Sequence, residues 1–85
     1  MNTNFHQYHS DNPHVYDKIL ELSHRARAAG RKEYSMRAIF HLLRWHYNVE
    51  TQGDEFKINN NYSQDYALKV MEENPELRGF FKMRF

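Results

Sequence analysis

Between Met36 and Tyr47 the apolar residues Met36, Ile39, Phe40, Leu43 and Tyr47 return at steps of three, one, three and four. Steps of three and four keep side chains on one face of an α-helix, whereas a strand would scatter them over both faces of a sheet. Ala38, Leu42 and Trp45 widen the stripe until little of the circumference stays polar, which predicts a central helix covered on most sides. Tyr34 and Ser35 read as the apolar residue and the side-chain cap of its N-terminus, and the periodicity carries it over 36–48.

A chain of 85 residues can bury one core and not two. The elements around the central helix follow from local signals. Asn12-Pro13 offers a cap followed by a proline at the first helical position, where its missing N–H costs nothing. Val15, Ile19, Leu22, Ala26 and Ala29 then form one stripe, with Glu21 and Arg25 paired outside it, and Gly30 closes a helix over 13–29. Ser63 caps a helix over 64–74 that buries Tyr66, Ala67, Val70 and Met71, and Pro75 stops it. A short turn follows from Glu76 to Arg78. The expected fold is mainly α, with three principal helices in a single domain over 12–85. Residues 1–11, polar and without a clear period, are expected as a flexible arm. In 49–60, Gly53-Asp54 and the alternation of Phe56 and Ile58 leave loop and small hairpin both open.

Several functions lose their chemistry at the level of composition. No cysteine is present, which removes disulfides, thiolate nucleophiles and the common structural zinc sites together, and fits a reducing cytoplasm. Three glycines are too few for a phosphate-binding loop, and no serine sits in a Gly-x-Ser-x-Gly turn. Six histidines include the close set His6, His9 and His14, but no cysteine or carboxylate cluster joins them, and His41 and His46, five apart, do not share a helical face. Glu55-Phe56-Lys57 matches the last element of a nuclease Glu-x-Lys motif, whose chemistry needs a preceding metal-binding aspartate on an adjacent strand, and a three-residue match is common by chance. No apolar run is long enough for a membrane span, and the first residues lack signal-peptide order. The expectation is a protein without catalytic residues, metal or cofactor, acting by binding.

The net charge of +1 conceals two regions of opposite sign. Residues 23–47 hold Arg25, Arg27, Arg31, Lys32, Arg37 and Arg44 against Glu33, whereas 48–76 hold seven acids, Glu50, Asp54 and Glu55 among them, against Lys57 and Lys69. On the predicted central helix Arg37, His41, Arg44 and Asn48 line one narrow strip opposite the main stripe. Such a strip is either an ordinary solvated face or a surface for a DNA major groove, where arginine pairs with guanine, asparagine with adenine, and cations neutralise phosphates. The candidate nucleic-acid contacts are therefore Arg25, Arg27, Arg31, Lys32, Arg37, His41 and Arg44. The alternative is a protein partner met by Glu50, Asp54, Glu55 and by Met83 and Phe85 of the tail Phe80-Phe81-Lys82-Met83-Arg84-Phe85, in which Lys82 and Arg84 alternate with large apolar groups and Arg78 lies just before. Within that tail, Phe80 or Phe81 is expected in the core.

Ala26, Gly30, Met36 and Ile39 resemble part of the helix-turn-helix pattern of small repressors, with the departure that Arg31 follows the glycine where an apolar residue is usual. Over nearly the whole chain, Asn12-Pro13-His14-Val15-Tyr16, Ile39-Phe40-His41-Leu42-Leu43-Arg44-Trp45, Phe56-Lys57-Ile58-Asn59-Asn60-Asn61-Tyr62-Ser63 and Gly79-Phe80-Phe81 resemble a family of small proteins encoded by tailed bacteriophages and prophages. That resemblance implies an accessory protein in a bacterial host cytoplasm and carries over no site residue. It implies two roles, regulation of a DNA transaction or inhibition of a host protein such as a defence nuclease, of the anti-CRISPR type. A homodimer joining the basic middle of one copy to the acidic third quarter of another is compatible with either.

Overall fold

The computed structural model describes residues 3–51 and 56–82. Four α-helices are formed: α1 (Thr3–Asp11), α2 (Pro13–Ala28), α3 (Met36–Trp45) and α4 (Ser63–Glu73). Helix α3 runs on into a π-helical turn, His46–Glu50, closed by the Thr51 amide donating to the His46 carbonyl at 3.0 Å. Short 3₁₀ turns, Asn60–Tyr62 and Pro75–Leu77, bracket α4. Helix α3 packs against both α2 and α4, and α1 against α2.

The expected arm is a helix, so the described chain has four principal helices instead of three. Phe5, Tyr8 and His9 lie at helical spacing, and Phe5 is 2% exposed. Reading His9 as a polar residue hides this stripe; in the structure its imidazole is a ring among rings, stacked on Phe5 at 6.1 Å and edge-on to Tyr16 at 5.3 Å. Asn12 is correspondingly not a side-chain cap for α2. Its amide Nδ2 donates backwards to the Tyr8 carbonyl at 3.0 Å and terminates α1, leaving Pro13 to start α2.

Gly30 closes α2 as its position suggests. With φ of 97° it lets the Arg31 amide reach the Ala26 carbonyl at 3.2 Å, the six-to-one bond of a Schellman cap. Ser35 caps α3, its Oγ accepting from the Ala38 amide at 3.4 Å. Ser63 does not cap α4: it is already helical, and Asn59 takes over one turn earlier, accepting from the Asn61 amide at 2.9 Å.

No hairpin forms among the described residues of 49–60. Val49 and Glu50 belong to the π-turn, Phe56 to Asn59 are irregular, and Gly53-Asp54 lies outside the described residues. The tail is docked by Phe80 and Phe81, each 3% exposed. The Tyr34 amide donates to the Phe80 carbonyl at 2.9 Å, and Tyr34 and Phe81 form an isolated parallel bridge. Phe81 thereby fills space beneath the turn that joins α2 to α3.

The stripe on α3 is narrower than the sequence suggests. Met36, Ile39, Phe40 and Leu43 are buried, but Leu42 and Trp45 are 43% and 60% exposed, and Val49 beyond them is 58% exposed. These three do not widen the core face. They form a separate apolar line on another side of the helix.

Two measurements check this architecture. Phe5→Ala should lower the free energy of unfolding by about 3 kcal/mol or more, the cost of emptying a buried phenylalanine site, whereas truncating an unanchored arm would cost almost nothing; urea denaturation decides. His9 should make stability pH-dependent. Burial first, then the Lys69 charge, with a smaller push from His6, lower its pKa from the ordinary 6.5, against the pull of Glu73 and Asp17. The unfolded chain therefore binds the proton first, and stability is complete above pH 6.5 and falls as the pH drops below it. His9→Phe should flatten that step in the melting temperature between neutral and mildly acidic pH.

Candidate nucleic-acid interface

Six cations gather on one side of the molecule although the chain delivers them from three places. Arg27, Arg31 and Lys32 come from the end of α2 and its turn, Arg37 from the first turn of α3, and Arg78 and Lys82 from the tail. All six are exposed. They line two adjoining depressions, about 700 and 420 Å³ in volume, that share Arg31. Local chemistry explains the placement: the Gly30 cap ends α2 and releases Arg31 and Lys32 into solvent. Burial of Phe80 and Phe81 turns the residues on either side of them, Arg78 and Lys82, outward.

Only Glu33 and Glu76 oppose these charges in the two depressions, giving this side a formal +4 against +1 for the whole chain. Glu33 lies 3.8 Å from Lys82, and Glu76 lies 3.6 Å from His24. The larger depression also receives the first residues of α3, Ser35 to Ala38, and of α4, Ser63 and Gln64. Two helix N-termini therefore add their partial positive charge to that of Arg31, Arg37 and Lys82.

The seven residues proposed from sequence divide into three groups. Arg27, Arg31, Lys32 and Arg37 belong to this cluster. Arg25 and His41 are exposed but line neither depression. Arg44 is committed elsewhere: its guanidinium donates to the Ile58 carbonyl at 3.0 Å and to Asn60 Oδ1 at 2.7 Å. Asn48 accepts from the Phe56 amide at 2.9 Å. Half of the four-residue strip along α3 and its π-turn, Arg44 and Asn48, thus clamps the 56–60 segment. Arg78 and Lys82 were not among the proposed contacts; their alternation with the two core phenylalanines was the signal that could have placed them.

The acidic alternative fares unevenly. Glu50 is exposed and 3.5 Å from His46, whereas Asp54, Glu55, Met83 and Phe85 lie outside the described residues. Glu73 is engaged by Lys69 Nζ at 2.6 Å and by the Tyr16 hydroxyl at 2.8 Å, contacts that hold its carboxyl below the usual range, while burial and the same hydrogen bond push Tyr16 up to about 12. Among the described residues no three His, Asp or Glu side chains gather as metal ligands, and no helix is long and apolar enough to cross a membrane. His9 sits in the aromatic packing, and His14 lies edge-on to Tyr47 at 5.6 Å.

Helices α2 and α3 are joined by residues 29–35, a longer connection than the three or four residues of a helix-turn-helix unit. No family model, curated protein or solved structure matches this chain.

The clamp separates a structural arginine from the basic cluster. Arg44→Ala should lower stability by about 1–2 kcal/mol, since charge-assisted hydrogen bonds to a carbonyl and an amide oxygen are lost from a partly exposed site. The same change should increase proteolytic cleavage within 56–60.

Proposed function

We propose that the chain binds the phosphate backbone of a nucleic acid through the cluster formed by Arg27, Arg31, Lys32, Arg37, Arg78 and Lys82. The observation that carries this reading is the convergence of six cations from three chain segments on one face, with two carboxylates against them. A surface charge of that density on a nearly neutral protein attracts a polyanion and releases its condensed counterions.

The reading differs from groove recognition by the strip on α3. Arg44 and Asn48, which would pair with base edges, already hold the 56–60 segment. The remaining exposed arginines suit phosphate oxygens, which fix position on a duplex without reporting its sequence. Binding is accordingly strongly salt-dependent and weakly sequence-dependent.

Fluorescence anisotropy with short duplex DNA over a series of salt concentrations tests the proposal. Each neutralised phosphate contributes about −0.9 to the slope of log K against log salt, so engagement of most of the cluster predicts a slope of about −4 or steeper. Arg31→Gln with Arg78→Gln should make the slope shallower by about 2, whereas Arg44→Ala should leave it unchanged. A slope near zero, or a double variant with the wild-type slope, overturns the proposal.

A further inference from the structure

Binding to a phosphate backbone uses the cations of the larger depression and leaves the rest of its wall without a role. Met36 and Ala67 are buried there and Tyr34 and Ala38 half-buried, so an apolar floor lies among the exposed Arg31, Arg37 and Lys82. Its volume of about 700 Å³ is that of a cleft for a small organic molecule, for which roughly 300–1,000 Å³ is usual. A bare phosphate needs no such floor. Glu33, in the same depression and 3.8 Å from Lys82, opposes a second phosphate but suits a neutral group that carries an N–H.

An unpaired nucleotide meets all three requirements. Its base is a flat plate that covers apolar carbon, its pairing edge offers an N–H donor, and its phosphate meets a guanidinium. Tyr34 supplies the ring on which such a base stacks. The Tyr34 amide donates to the Phe80 carbonyl at 2.9 Å, and its ring lies nearly parallel to that of Phe80, at 19° with 6.4 Å between centroids. A ring fixed in this way loses little freedom when a ligand arrives, so stacking is not offset by ordering of the side chain.

We propose, building on the phosphate-binding role above, that the larger depression takes the base of an unpaired nucleotide against Tyr34, and that the chain therefore prefers single-stranded nucleic acid to duplex. The strand continues over Arg31, which both depressions share, and its next phosphates meet Arg27, Lys32 and Arg78 in the smaller one.

Electrostatics alone predicts the opposite preference. Each bound phosphate releases more counterion from a duplex than from a single strand, with slopes of about −0.9 and −0.7 respectively. A cationic surface without a base subsite therefore holds duplex more tightly. A paired base must also leave its stack before it can enter a depression, a cost that an unpaired base largely escapes. Single-strand preference is thus a signature of the floor and not of the cations.

Fluorescence anisotropy at one salt concentration compares three ligands of about ten nucleotides: oligothymidylate, a strand with abasic sites in place of its bases, and a duplex. Oligothymidylate should bind at least about tenfold more tightly than either of the others. Tyr34→Leu keeps an apolar side chain against Phe80 and removes the stacking face. It should weaken oligothymidylate about five- to a hundredfold while leaving duplex affinity and the salt slope unchanged, and Tyr34→Phe should retain the affinity. Ala38→Met, which fills the depression from a half-buried position on α3, should weaken the single strand alone and provides the test if Tyr34→Leu loses helical circular dichroism. Free thymidylate, which has the base without the flanking phosphates, should compete only at concentrations about a hundredfold higher. Equal affinity for oligothymidylate and the abasic strand overturns the base subsite, while a steep salt slope in both leaves phosphate binding standing. Wild-type binding of oligothymidylate by folded Tyr34→Leu and Ala38→Met, or competition by free thymidylate as effective as by the strand, also overturns the base subsite. Loss of salt dependence with all three ligands removes phosphate binding as well.

Discussion

Tyr66 is the side chain on which the described fold converges. It has no exposed surface and stands edge-on to Phe5 of α1 at 4.8 Å, to Phe40 of α3 at 6.0 Å and to His9 of α1 at 6.2 Å. Three helices distant in sequence are thereby tied through one ring by the edge-to-face geometry that aromatic quadrupoles favour. The arrangement has a cost: among the described residues neither the Tyr66 hydroxyl nor His9 Nδ1 finds a hydrogen-bond partner, and an unsatisfied buried polar group typically costs about 1–3 kcal/mol. The same burial raises the Tyr66 pKa and lowers that of His9, keeping both neutral in the fold.

From that centre the irregular 56–60 segment is held by polar contacts from two sides. The Tyr8 hydroxyl of α1 donates to the Lys57 carbonyl at 3.0 Å, while Arg44 and Asn48 meet Ile58, Asn60 and Phe56 from α3 and its π-turn. Ile58 is then buried, and Phe56 packs on Tyr47 with ring centroids 4.7 Å apart. Backbone groups that would otherwise need a sheet ladder are satisfied by side chains, which is why this apolar-alternating stretch can do without strand partners.

The consequences reach the surface. Docking the tail against Tyr34 moves Arg78 and Lys82 beside the cations of the α2–α3 turn, and fixing Arg44 inward shifts the basic surface from the side of α3 to its N-terminal end. Once α2 and α4 cover one face of α3 and the 56–60 segment engages the next, Leu42, Trp45 and Val49 stay uncovered. The basic cluster and the exposed apolar line are thus two results of the same packing.

The local signals in the sequence determined a great deal. The period of three and four placed α2, α3 and α4, Gly30 ended α2, Ser35 capped α3, and Phe80 and Phe81 of the tail entered the core. Arg27, Arg31, Lys32 and Arg37 were legible as cations beside a helix N-terminus. Tertiary structure alone decided that the half-buried His9 would join the aromatic packing, that Asn12 would close the helix before it, and that Arg44 would donate to a carbonyl. It also decided that Leu42 and Trp45 would face solvent. The physical reason is common to these four. Periodicity specifies which residues share a side of a helix, but whether that side is covered, and whether a polar side chain finds its partner within the chain or in water, depends on elements that arrive from elsewhere in the sequence.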